Sequence, residues 1–174
     1  PEILAIAEAG FRRCPQRDDL PTVDAIVDLA IKQQEHFIRR PCLVGMELRW
    51  RDGVDEVDAL PDETLHRMVA FRLTDGTGNT PDWFVHLVRQ RPGLVAGVLI
   101  DYAGAALKAG KDHVDSLYAL EHDPAYHAVA LVAAPALLAR FPVRVRSGQL
   151  HHLVNLLKAA LRHVPEELPA LIER

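Results

Sequence analysis

The chain has 174 residues, of which 49% are hydrophobic, 25% charged and 6% aromatic, with a formal net charge of −4. That length suits one domain, able to bury roughly 70% of its unfolded surface without a disulfide or metal staple. The apolar content excludes disorder, the aperiodic glycines and prolines exclude collagen-like and low-complexity classes, and the acidic balance argues against a chain that is basic all over, as many nucleic-acid binders are.

Glu2 to Cys14 reads as a short helix with Leu4, Ala7 and Phe11 inward. Val23, Ile26, Val27, Ala30, Ile31, Phe37 and Ile38 then share one face of a longer helix, punctuated by Pro21 before it and Pro41 past its end. Asp28/Lys32 and Glu35/Arg39 form i,i+4 pairs on the opposite face. Residues 41–60 carry two patterns. Val44, Met46, Leu48 and Trp50 alternate ahead of Asp52-Gly53, which suits a hairpin. Leu43, Met46 and Trp50 also fit helical spacing with Gly53 as the stop, and the helix is favoured because an isolated hairpin is marginal in water.

Pro61 with Asp62 and Glu63 opens a helix whose stripe is Leu65, Met68, Val69 and Leu73. Thr80-Pro81 caps the next, burying Trp83, Phe84, Leu87 and Val88. Pro92 starts a nearly uncharged helix, expected to be central, in which Gly93, Gly97 and Gly104 would admit a neighbouring backbone. Asp112 caps a short helix with Val114, Leu117 and Tyr118 inward. Asp123-Pro124 leads into the apolar helix Ala125 to Arg140, which Pro135 should kink. Ser147 opens the last long helix, with Leu150, Leu153, Val154, Leu157, Leu161 and Val164 inward, and a further helix begins at Pro165.

These elements predict an all-α protein of nine or ten helices, arranged as an α-solenoid-like array of antiparallel helix pairs over residues 1–174, with a compact irregular bundle as the alternative. The opening at Pro1 leads to the expectation of a piece of a longer chain. Two cysteines, Cys14 and Cys42, fit reduced thiols and a cytoplasmic setting, with a helix-to-helix disulfide as the alternative. No apolar run reaches the roughly 18 residues of a membrane span.

The Pro-started apolar helices Pro92 to Gly110 and Ala125 to Phe141 resemble a HEAT-like helical repeat array. Ala139-Arg140-Phe141-Pro142, followed by Gln149-Leu150 and Leu156-Leu157, is similar to helical arms appended to bacterial signal-transduction NTPases of the NACHT type. The resemblance covers the last half of the chain. It implies a sensing or scaffolding arm, with ATP bound in another domain.

No motif points to catalysis, a cofactor or a metal. Thr74-Asp75-Gly76-Thr77-Gly78-Asn79-Thr80 lacks the P-loop and dinucleotide patterns and reads as a flexible connection. His122/His127 and His151/His152 lack the i,i+3 or i,i+4 spacing of paired ligands, and neither cysteine belongs to a Cys-x-x-Cys pair. Asp101, inside an apolar helix, is either a buried acid–base group or a carboxylate facing a partner or solvent. Asp18/Asp19 and Glu166/Glu167 read as helix-start carboxylates.

Charge distribution is the strongest deviation. Residues 1–123 carry 21 acidic and 14 basic side chains, whereas residues 124–165 carry no acid beside Arg140, Arg144, Arg146, Lys158 and Arg162. His151, Asn155, Lys158 and Arg162 share one helical face, and Arg144 and Arg146 precede it. These seven residues are the candidate partner-binding face of a non-enzymatic scaffold or sensor module that meets a protein partner or flanking domains. Nucleic-acid binding through the same face is the alternative, disfavoured by the shortage of aromatic side chains there.

Overall fold

The computed structural model describes residues 2–76, 80–114 and 116–166. Among them the chain is entirely helical, with ten α-helices and no strand. No helix among these residues is long and apolar enough to cross a membrane. The contacts divide the chain into two compact units, residues 1–86 and 87–174.

The first unit holds α1 (Glu2–Arg13), α2 (Val23–Ile31), α3 (Arg39–Asp52), α4 (Val54–Asp58), α5 (Asp62–Leu73) and the start of α6 (Asp82–Gln90). Here α3 packs on α1, α4 and α5, and α2 packs on α5. The core is Met46, Val57, Leu65, Met68, Val69, Phe71, Trp83 and Phe84, each 2% exposed or less. The helix expected to run from Pro21 to Pro41 instead breaks after Ile31, where Gln33 takes a positive φ of 57°. Pro41 therefore sits in the first turn of α3 rather than beyond a helix end. A missing N–H costs nothing there, because the first four have no intrahelical partner. The break turns Phe37 out to 80% exposure while Ile38 stays buried.

Residues 41–60 resolve in favour of the helix. Gly53 ends it at φ 154°, a conformation that other residues rarely adopt, and its N–H donates to the Arg49 carbonyl at 3.1 Å. The inward face expected of α1 is not buried, since Leu4 is 64% and Phe11 36% exposed. What α1 does supply is backbone contact. A Cβ on Gly45 of α3 would stand 2.2 Å from the Phe11 carbonyl oxygen and 2.8 Å from Pro15 Cδ. The close approach expected at Gly93, Gly97 and Gly104 thus occurs at Gly45 instead, and a Cβ at those three positions meets open space among the described residues.

The second unit holds the end of α6, α7 (Pro92–Lys108), α8 (Ser116–His122), α9 (His127–Ala139) and α10 (Leu150–His163). In it α9 packs on α7 and α10, and α10 packs on α8. Val95, Leu99, Leu117, Val129, Ala133, Leu137 and Leu156 are fully buried. Asp123 caps the 3-10 turn Pro124–Tyr126 that feeds α9, its Oδ1 accepting from Ala125 N at 2.9 Å. Pro135 lies inside α9, and Leu131 and Val132 reach solvent, so that helix is not buried all round. Asp112 does not cap α8, which starts at Ser116, and Tyr118 points outward at 60% exposure. Both thiols are free, which removes the disulfide alternative. The helix expected from Pro165 falls on residues of which only Pro165 and Glu166 are described; Glu167 lies outside them.

Candidate functional site

The last long helix sits with a different face inward from the one its apolar spacing suggests. His152, Leu156, Ala159 and Ala160 are buried, whereas Leu150, Val154 and Leu161 are 49%, 47% and 59% exposed. The entry to the helix explains the rotation. Gln149, 1% exposed, donates from Nε2 to the Leu107 carbonyl at 2.9 Å, and its Oε1 accepts from Arg146 N at 3.1 Å. One turn on, His152 Nε2 donates to the Asp112 carbonyl at 3.1 Å. These two polar anchors tie α10 to the last turn of α7 and to the segment that follows it. A buried amide and imidazole must be hydrogen-bonded, and that requirement outweighs the burial of three leucine-sized side chains.

The seven residues of the predicted basic face divide into three groups. Lys158 and Arg162 turn onto α8. Lys158 Nζ lies 3.4 Å from Oε1 of Glu121, a carboxylate only 6% exposed, and Arg162 donates to the Glu121 backbone carbonyl. His122 Nε2 approaches the other carboxylate oxygen at 3.2 Å. Much of the positive charge on α10 is thereby spent on holding α8, because a buried carboxylate left unpaired would be costly. Arg140, Arg144 and Arg146 form the second group. All three are exposed, and none has a carboxylate partner among the described residues. Val143 between them is 100% exposed.

His151 and Asn155 form the third group. They line a cavity of about 360 Å³ together with His113, Val114, Tyr118 and His152. The rings of His151 and His152 lie 3.8 Å apart, and Tyr118 meets His122 in a tilted contact with centroids 4.0 Å apart. Burial, and then the neighbouring His151, push the His152 imidazole below its ordinary range, so it is neutral near pH 7. With Nε2–H committed to Asp112, Nδ1 is an acceptor, and it is buried with no hydrogen-bond partner. His113 and Tyr118 are absent from the sequence-based face because they lie some three dozen residues earlier; α8 and the segment before it bring them to α10.

Other candidates are placed plainly. Asp101 is exposed on α7, which leaves a pocket around it without a wall. Asp19 binds Arg17 at 2.6 Å in the turn before α2, and Arg17 holds its carboxyl below the usual range. Residues 77–79 of the Thr74–Thr80 connection lie outside the described residues. Its start is held by Arg39, whose guanidinium meets the Thr74 carbonyl at 3.1 Å, Asp75 at 3.3 Å and Glu35 at 2.8 Å. Cys42 is wholly buried, and burial pushes its thiol up to about 12, so it is unreactive. No group of three or more metal-ligating side chains occurs among the described residues. A second cavity, of about 240 Å³, lies in the first unit between Leu43, Glu47, Arg72 and Trp83, where burial raises the Glu47 carboxyl. Comparison with protein-family models, with curated proteins and with solved structures finds no significant match.

Proposed function

We propose that the chain is a non-enzymatic helical module, a HEAT-like scaffold or sensor arm of a larger signalling protein, that captures an acidic, partly apolar segment of a protein partner on its C-terminal unit. One observation carries the reading. Arg140, Arg144 and Arg146 stand exposed, without carboxylate partners among the described residues, around the fully exposed Val143, and the chain runs from them directly into α10 with Leu150, Val154 and Leu161 uncovered. An apolar strip bordered by unpaired cations is the complement of an acidic amphipathic helix. The solenoid form draws support from the packing of α7 on α9 and of α8 on α10, each helix against the next but one, with α9 against α10 between them. In the first unit α1 on α3 and α3 on α5 repeat the pattern.

Binding to a synthetic acidic amphipathic peptide of Glu and Leu heptads tests this. The wild-type chain binds it, affinity falls as salt rises, and reversal of Arg140 and Arg144 to Glu abolishes binding without moving the melting temperature. Arg162 is left intact, since it anchors α8. Equal binding by the reversed variant overturns the reading. Binding of single-stranded oligonucleotides in place of the peptide, with a steep salt slope, would favour nucleic acid.

A further inference from the structure

We propose that His127 and His163 form a two-histidine chelate for a divalent copper- or nickel-class ion, joining the start of α9 to the end of α10. The site is separate from the arginine loop and the leucines of α10, so it stands or falls apart from the protein-partner reading.

His127 opens α9 and His163 closes α10, 36 positions further on. Their Nδ1 atoms stand 2.8 Å apart. The ring centroids lie 4.7 Å apart with planes crossed at 67°, so the ring bodies diverge from the two nitrogens. Two neutral imidazoles in this pose share one proton: one Nδ1–H donates and the other Nδ1 accepts. A metal ion takes the place of that proton. Both Nδ1 lone pairs then face the metal, and the displaced proton moves through solvent to Nε2 of the same ring, so each imidazole stays neutral. His127 is exposed and His163 half-buried, which leaves the pair open to an ion from solution. Burial, and then His127, lower the basicity of His163, with Arg162 acting in the same direction. A ring kept free of an extra proton is what ligation requires. The Leu120 backbone carbonyl accepts from the His163 ring, the kind of outer contact that orients a ligating imidazole.

The spacing selects the class of ion. Metal–imidazole bonds of about 2.0–2.1 Å at a right angle set their nitrogens about 2.9 Å apart, whereas a tetrahedral angle sets them about 3.3 Å apart. The observed 2.8 Å fits neighbouring corners of a square or tetragonal ion, the geometry of copper(II) and nickel(II) with nitrogen and oxygen ligands. Zinc would have to push the rings about half an ångström further apart. Water fills the remaining positions, in keeping with the absence of any group of three or more ligating side chains among the described residues. The negative end of the α10 dipole lies at His163 and offsets the positive end of α9 at His127. Arg162, the neighbouring cation, is turned onto the Glu121 carbonyl. His151 and His152 offer no second chelate, since His152 Nε2 donates to the Asp112 carbonyl and its Nδ1 is buried.

Calorimetric titration of the full chain with nickel, copper(II) and zinc chlorides, in a buffer that does not bind metal, is compared across wild type, His127→Ala, His163→Ala and His151→Ala. One equivalent of nickel binds the wild type, copper binds more tightly and zinc more weakly. His127→Ala and His163→Ala each weaken nickel by at least the roughly 10–100-fold that losing a supporting outer contact already costs. His151→Ala leaves nickel binding unchanged. Melting in EDTA shows that each variant is folded, and nickel then raises the melting temperature of the wild type and of His151→Ala alone. Should His163→Ala fail to fold, His127→Ala, at an exposed position, decides. With one equivalent of copper, the electron paramagnetic resonance spectrum carries coupling to two nitrogens in the wild type and to one in either variant. No saturable nickel binding at millimolar concentration, nickel binding that survives His127→Ala, or a copper spectrum unchanged by it, overturns the proposal. Zinc binding more tightly than nickel through the same two rings overturns the assignment to a tetragonal ion.

Discussion

The two units treat their charges in opposite ways. In residues 1–86 the arginines find acids close by: Arg12 meets Asp52 at 2.6 Å, Arg39 meets Glu35 at 2.8 Å, Arg49 meets Glu56 at 3.3 Å, and Arg67 pairs with Glu63 one turn earlier. In the second unit residues 124–165 carry no acid, and Arg140, Arg144 and Arg146 stand without carboxylate partners among the described residues. The histidines follow the same division. In the second unit they meet one another, as His151 meets His152 and as His127 Nδ1 meets His163 Nδ1 at 2.8 Å. The difference is one of charge and not of apolar surface, since Ile3, Leu4, Ile6 and Phe37 of the first unit are each 64% exposed or more.

The sharpest way to break this comparison is to damage the core of the first unit and look for function in the second. Trp83 is fully buried, and Trp83→Ala should cost about 3–5 kcal/mol, read as a lower urea midpoint. If the units are functionally separate, peptide binding survives under conditions where the variant remains folded. A smaller effect comes from Gly45→Ala. Its Cβ would collide with the Phe11 carbonyl, and because backbone cannot swing aside, a loss of about 1–3 kcal/mol follows. Unchanged stability would mean that α1 yields freely.

Between these and the surface lies a pH effect confined to the second unit. His152 has its basicity lowered on folding by burial and by His151. Near pH 7 both folded and unfolded chains hold this ring neutral, so it exerts no penalty. As pH falls through the unfolded value of about 6.5, the unfolded chain takes the proton first and stability declines until the lower folded value is reached. The denaturation midpoint of wild type should therefore fall between pH 7.5 and 5. His152→Gln, compared at the same two pH values, should show a shallower decline. His163, lowered in the same direction, supplies part of the remaining slope in both proteins.

The helices themselves were legible because their signals are local. Prolines at helix starts, the Gly53 stop and the stripe Leu65, Met68, Val69, Leu73 each act within a few residues. What periodicity could not supply is which of two faces wins when both carry apolar residues. On α10 the leucines 150, 153, 157 and 161 outnumber the small residues 159 and 160, yet Gln149 and His152 decide the rotation through hydrogen bonds to residues some forty positions away. The same holds at Phe37, lost to solvent by a turn at Gln33 that no glycine marks. The basic face was visible as composition. Its division into a clasp on Glu121, a free arginine loop and a cavity wall depends on α8, whose Tyr118 and Glu121 reveal nothing of their partners from sequence.

The smallest expected change in stability is at the uncovered leucines. Replacing Leu150 and Leu161 by Ser removes apolar surface that is already half in water, so the melting temperature should hold within the scatter of ordinary surface substitutions, about 0.5 kcal/mol. Binding of the acidic amphipathic peptide should nevertheless fall, because those side chains supply the apolar part of the contact. A large loss of stability would show that these leucines are covered by another part of the folded chain, and the apolar part of the proposed contact would then be lost.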